Sequence, residues 1–98
     1  GKRAPAPAVT TGERAVLKEL CRKYFSRSRT KAPATREEMA EVLFVGEAAV
    51  QAHLGNLYLK FDIEGPRGEK RRLLAERVMD LGVITRRDYP PDEDPTAS

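Results

Sequence analysis

Hydrophobic residues recur at helical spacing in four separate stretches of this chain. In the first stretch, Thr10 and Glu13 form the pattern of a capping box, which marks the start of a helix. The apolar positions that follow share one helical face and predict a helix that extends to Phe25. These positions are Val16, Leu17, Leu20, Cys21, Tyr24 and Phe25.

The second and third predicted helices are separated by a short turn. Thr35 and Glu38 form another capping box, and Gly46 is the predicted N-cap of a third helix over residues 47–61. The predicted inward residues of the second helix are Met39, Val42 and Leu43. In the third helix, four apolar residues lie within about 60° of each other on a helical wheel. They are Val50, Leu54, Leu57 and Phe61.

The fourth predicted helix covers residues 69–81, after a segment in which two glycines and a proline interrupt the pattern. Its apolar side consists of Leu73, Leu74, Val78 and Leu81, and Gly82 is its predicted stop. Because no stretch alternates between apolar and polar residues, we expect no sheet. The predicted fold class is all-α, a compact four-helix domain.

Ala40 and Val50 have the spacing of a helix-turn-helix. They lie ten residues apart, on either side of the short turn. A small residue at position 40 lets the two helices cross closely, and Val50 fills the angle between them. We therefore expect the second and third helices to form this motif.

The two ends of the chain differ in composition from the middle. The first nine residues read GKRAPAPAV, in which alanine and proline alternate over residues 4–8, and residues 89–98 contain three prolines and three acidic residues. Such segments have little apolar surface to bury. We predict a disordered linker or tail over residues 1–9, a folded domain over residues 10–84, and an acidic, Pro-rich disordered tail over residues 85–98.

Charge and reactive side chains restrict the possible functions. Eighteen Lys and Arg against fifteen Asp and Glu give a net charge of +3, which is compatible with nucleic-acid binding. The single cysteine, Cys21, is predicted to be a buried small hydrophobe, and the single histidine, His53, to pack or hydrogen-bond at the border of the core. We expect no disulfide framework, metal site, cofactor, enzymatic activity or membrane span, and a cytoplasmic location.

Three segments of the predicted domain carry a family resemblance. They read TGERAVLKEL at residues 11–20, ATREEMAEVLFVGEAAVQAHLGNLYLKFDI at residues 34–63 and LGVI at residues 81–84. Together they resemble the LuxR-type (GerE-like) helix-turn-helix domain. The matching positions are Glu38, Ala40, Leu43, Val45, Val50, His53, Leu54, Asn56, Tyr58 and Lys60.

The resemblance implies a DNA-binding domain of a bacterial-type transcriptional regulator, whose third helix enters the major groove of double-stranded DNA. It also implies a homodimer contact through the fourth helix, and we expect a sensor domain elsewhere in the parent protein. The connections after the first helix and before the fourth are longer than in the family. Only Glu47 and Lys60 carry charge in the third helix, so its charges cancel and we expect weak binding by an isolated monomer.

Two groups of residues are predicted to contact DNA. Gln51 and Asn56 on the third helix have amides that can pair with adenine, and its alanines can touch thymine methyl groups. Cations of the first helix, of the following loop and of the second helix are expected to dock on phosphates, although a solvated loop is an equal alternative for the loop residues. The full predicted set is Arg22, Lys23, Arg27, Arg29, Lys31, Thr35, Arg36, Ala48, Ala49, Gln51, Ala52, Asn56 and Lys60.

A protein-interaction module is the alternative function. Four mostly small residues follow each other at helical spacing on the side of the third helix opposite to its buried stripe. Such a stripe would let the helix of a partner protein approach closely. Its members are Ala48, Ala52, Gly55 and Leu59.

Overall fold

Each of the four hydrophobic stretches forms a helix. The computed structural model describes residues 7–25 and 32–89, and no strand is present within those two ranges. The predicted all-α, four-helix fold is therefore confirmed. The helices are α1 (Thr11–Phe25), α2 (Arg36–Leu43), α3 (Glu47–Lys60) and α4 (Lys70–Asp80).

Reciprocal side-chain caps fix the starts of α1 and α2. The Thr10 hydroxyl accepts a hydrogen bond from the Glu13 N–H at 3.1 Å, and the Thr10 N–H donates to the Glu13 carboxylate at 2.9 Å. Thr35 and Glu38 make the same pair of bonds at the start of α2. Both predicted capping boxes are confirmed, and each satisfies donors that a helix start leaves unpaired.

The helices bury one face each in a common core. The four predicted stripe residues are all buried; three of them lie in α3 and the fourth, Phe61, is its C-cap. Helices α1 and α4 pack their apolar faces against them. Burying a side chain of this size contributes about 1.5–3 kcal/mol. The residues with less than 2% of their surface exposed are Val16, Leu17, Leu20, Cys21, Met39, Val50, Leu54, Leu57, Leu74, Ala75, Val78 and Ile84.

Helices α2 and α3 pack against each other, and α2 has a small buried residue at position 40. Ala40 is 8% exposed and Val50 is fully buried. Val42 was expected to face inward but is 53% exposed, because the buried arc of α2 runs through Met39, Leu43 and Ala40 and Val42 lies outside it.

The packed region extends beyond the predicted domain boundary at residue 84. A capped 3-10 turn at Arg86–Asp88 follows α4, and the Tyr89 hydroxyl donates to the Lys18 carbonyl oxygen at 2.6 Å. The Tyr89 ring lies 5.3 Å from the ring of Phe25, between centroids. The predicted tail therefore begins too early, because its first aromatic side chain finds apolar and cationic partners on α1. Val9, placed in the predicted linker, likewise packs against the core.

The turn between α2 and α3 contains an aromatic residue in the left-handed region. Phe44 has φ 58° and ψ 42°, and both its N–H and that of Val45 donate to the Ala40 carbonyl oxygen. Glycine or asparagine usually occupies this position of a helix end, because a side chain there crowds the backbone. The Phe44 side chain gains nothing in return from packing, since Phe44 is 94% exposed.

Substitutions at position 44 test this strain directly. Phe44→Asn is expected to keep the fold and to raise the free energy of unfolding by up to about 1 kcal/mol, because asparagine tolerates left-handed backbone. Phe44→Val is expected to lower it, because branching at Cβ makes that conformation less favourable. Urea unfolding of the three proteins should give the order Asn, Phe, Val, and the reverse order would contradict the strain.

Candidate nucleic-acid interface

A groove runs beside the exposed face of α3. It has a volume of about 670 Å³ and lies between the start of α2, the second half of α3 and the segment that leads into α4. Its position follows from the fold, because the buried stripe of α3 leaves the opposite side of the helix uncovered. The lining residues are Arg36, Gln51, Leu54, Gly55, Tyr58, Leu59, Ile63, Arg67, Gly68, Lys70 and Arg71.

The groove is strongly basic. Arg36 comes from the first turn of α2, and Arg67, Lys70 and Arg71 come from the 3-10 turn and the first turn of α4. Among the described residues that line the groove, none is acidic. Four cations without an intervening carboxylate, on a concave surface, concentrate positive potential and favour a polyanion.

Contacts within the domain hold two of these cations in place. Arg71 donates to the Ala34 carbonyl oxygen at 2.8 Å, which ties α4 to the segment before α2. The ammonium of Lys70 lies 5.6 Å from the centroid of the Tyr58 ring, in a cation–π contact. Burial raises the pKa of Tyr58 above its usual value, so its phenol stays neutral beside the cations at physiological pH.

The predicted adenine readers on α3 do not face the same way. The Gln51 side chain lines the groove, and its carbonyl oxygen accepts from Arg36 at 3.1 Å. Asn56 is exposed but lies about 140° away around the helix, outside the groove. The alanines Ala48, Ala49 and Ala52 are exposed along α3. Of these two amide side chains, Gln51 therefore lies in the basic groove and Asn56 lies outside it.

Lys60 was predicted to contact DNA and instead pairs with a buried carboxylate. Its ammonium donates to Glu13 at 2.5 Å, and the Glu13 side chain is only 4% exposed. This hydrogen bond and those from the Thr10 cap hold the pKa of Glu13 below its usual value. Sequence spacing could not show this contact, because it joins residues 47 positions apart. Lys60 thus connects the end of α3 to the start of α1.

Neutralising Glu13 tests how much the Lys60–Glu13 ion pair stabilises the packing of α1 against α3. Glu13→Gln is expected to lower the free energy of unfolding at pH 7 by about 1–2 kcal/mol, because it leaves Lys60 without its counter-charge. The matched change Glu76→Gln, in an exposed ion pair with Arg72, should cost less than about 0.5 kcal/mol.

The loss of stability caused by Glu13→Gln is expected to depend on pH. Since the pKa of Glu13 is lower in the folded than in the unfolded chain, its stabilisation is present above the unfolded value near 4.5 and is lost as pH falls through the folded value. Denaturant unfolding from pH 7 downward should show the Glu13→Gln deficit shrinking in that range. A deficit that persists unchanged to the lowest pH would contradict the ion pair.

The predicted cations of α1 are engaged elsewhere. Arg22 makes a two-point ion pair with Glu19 and lies 5.4 Å from the Tyr89 ring. Lys23 pairs with Glu38 at 3.1 Å, and the Thr35 hydroxyl serves as the helix cap. None of these residues lines the groove. The loop cations Arg27, Arg29 and Lys31 lie outside the described residues.

Cys21 and His53 have the structural positions expected from the sequence. Cys21 is buried against α4, and burial raises the pKa of its thiol to about 12. The His53 ring packs on α1 so closely that a methyl group added to Gly12 would lie 3.1 Å from it. Both side chains therefore belong to the packing between helices.

The stripe predicted as a protein contact is open. Leu59 is 82% exposed, and a side-chain carbon added at Gly55 would meet no atom within 4 Å. Gly55 and Leu59 both line the groove, whereas Ala48 and Ala52 lie on the exposed face next to it. Part of this stripe thus belongs to the apolar lining of a basic groove.

The exposed positions of α4 carry charges. Glu76, Arg77 and Asp80 are exposed, and Arg72 pairs with Glu76 at 2.9 Å and with Glu69. The homodimer contact through this helix stays a prediction.

Three groove cations were missed by the sequence-based site prediction. Arg67, Lys70 and Arg71 stand close together, directly after the glycine and proline that interrupt the helical pattern. A cluster of cations at a helix start is unusual, because the helix dipole favours acidic residues there. That departure is the signal in the sequence that marks a position suited to an anion.

Comparisons with protein-family models, with curated proteins and with solved structures give no match for this chain. Within the described part of the chain, no helix combines the length and the apolar character needed to cross a membrane.

Proposed function

We propose that this chain is a DNA-binding domain that docks on the phosphate backbone of double-stranded DNA through the basic groove beside α3. The observation that carries the proposal is the convergence of Arg36, Arg67, Lys70 and Arg71 on one concave surface with no acidic lining residue among those described. Backbone contacts of this kind provide affinity and register, whereas base contacts provide sequence specificity.

The start of α4 strengthens the attraction for phosphate. The N-terminal end of a helix carries a partial positive charge and free N–H groups, which suit an anion. The first turn of α4 contains no acidic residue, and its N-cap Glu69 is paired with Arg72. A phosphate in the groove would therefore lie near both the cations and the positive end of the α4 dipole.

Base contacts are fewer than phosphate contacts in this proposal. Gln51 is the polar side chain of α3 that lines the groove, and it must exchange its bond with Arg36 to reach a base edge. At the other end of α3, the exposed Glu47 repels phosphates. We therefore propose weak, mainly sequence-tolerant binding by the monomer, in line with a neutral third helix.

The resemblance to LuxR-type domains supports a role in transcriptional regulation. In this proposal the domain belongs to a bacterial-type regulator whose sensor domain lies elsewhere in the parent protein. Tethering to that protein would compensate for weak binding by raising the local concentration of the domain at DNA.

Salt dependence and a matched pair of variants test the proposal. Binding to a random duplex is expected to follow a log–log salt slope of about −3 to −4, since each neutralised phosphate contributes about −0.9. Arg67→Ala is expected to reduce that slope by about one phosphate and to weaken binding. Arg87→Ala removes the same charge from an exposed position in the 3-10 turn after α4, away from the groove, and should leave the slope unchanged.

Fluorescence anisotropy with a labelled duplex measures both quantities. Equal effects of the two substitutions would mean that net charge rather than the groove attracts DNA. Absence of binding at low salt would overturn the DNA proposal.

A further inference from the structure

We propose that this chain binds a second copy of itself head to tail, with Phe44 of one copy inserted into the basic groove of the next. Two surfaces of the domain complement each other in apolar character and in charge. One is an apolar knob at the turn between α2 and α3, and the other is the groove beside the second half of α3.

The knob is formed by the exposed apolar residues of the turn. Phe44 is 94% exposed, Val42 53% and Val45 44%. An aromatic ring in water loses the free energy that burial would provide, and at Phe44 the backbone is strained as well. Neither packing in the core nor the backbone conformation explains why phenylalanine occupies position 44. We therefore expect its ring to contact another molecule.

Acidic residues surround the knob. Glu41 precedes Phe44 by three residues and Glu47 follows it by three, and both are exposed. The sequence contains no Lys or Arg between Arg36 and Lys60, so the stretch of chain that carries the knob contributes glutamates but no lysine or arginine. The chemistry that fits it is an apolar pocket with a basic rim.

The groove has that chemistry. Its apolar lining includes Leu59, which is 82% exposed, and Gly55, where an added side-chain carbon would meet no atom within 4 Å. Its basic lining residues, called its rim below, include Arg36, Arg67 and Lys70. A phenyl ring placed over Gly55 would cover Leu59, and the flanking glutamates would face the rim cations.

One copy cannot fill its own groove. The knob precedes the first residue of α3 and Leu59 lies near the last, so the two are about 20 Å apart along a rigid helix. The contact is therefore intermolecular and joins two different surfaces, which extends copies into a chain or a ring rather than a two-fold symmetric pair.

The contact is expected to be weak. A phenylalanine buries about 150–250 Å², far less than the roughly 800 Å² per partner of a stable interface. Association should appear at about 0.1–1 mM, the range of transient contacts, and should weaken as salt screens the rim charges. DNA bound in the groove would compete with it.

Mixing two defective variants tests the head-to-tail arrangement. Phe44→Asn removes the aromatic ring of the knob and leaves the groove intact, and Leu59→Glu places an acidic side chain in the groove lining and leaves the knob intact. Each variant alone is expected to be monomeric in sedimentation velocity at millimolar concentration. Their mixture is expected to form a one-to-one dimer that grows no further, because one intact knob meets one intact groove.

The controls separate this arrangement from its alternatives. Thr11→Glu adds the same acidic side chain at an exposed position on α1 and should associate like the unaltered chain. Circular dichroism checks that the variants are folded. The proposal would be overturned if the mixture failed to associate or if the unaltered chain were monomeric. It would also be overturned if either variant associated alone, which is the result that a contact through α4 would produce. Because no nucleic acid is used, the outcome is independent of DNA binding.

Discussion

The close crossing of α2 and α3 is the constraint on which the rest of the molecule depends. Ala40 lets the two helices approach, and Val50 fills the space where they meet. The crossing directs the apolar stripe of α3 into the core, which leaves its small-residue side uncovered. A larger residue at position 40 would push the helices apart and would move Arg36 away from Gln51, so the shape of the groove depends on one methyl side chain.

The domain separates its charges along α3. Glutamates are concentrated near the turn that precedes this helix, and the cations of the groove lie beside its second half. Ion pairs at the remaining charged positions, such as Arg14 with Asp88 and Lys60 with Glu13, join separate elements to each other. The net charge of the chain therefore says less about its partners than the distribution of those charges does.

The sequence predicts the local features of this fold better than the site. Capping boxes and apolar spacing depend on residues a few positions apart, so the helix starts and the buried stripe of α3 could be predicted. The groove depends on where the segment before α4 folds back, which no spacing shows, so Arg67 was missed. The ion pair of Lys60 could not be predicted for the same reason, since its partner Glu13 is distant in the sequence. The boundary at residue 84 failed because composition cannot show that Tyr89 finds a site on α1.

The buried thiol gives the domain an internal reporter of its own opening. Cys21 is the only cysteine in the sequence, it is fully buried, and its raised pKa keeps it protonated at neutral pH. A thiol-modifying reagent can therefore react with it only in molecules whose α1 and α4 have separated. The rate of modification under native conditions then measures how often the packing around Cys21 opens, without denaturant and without a label attached beforehand.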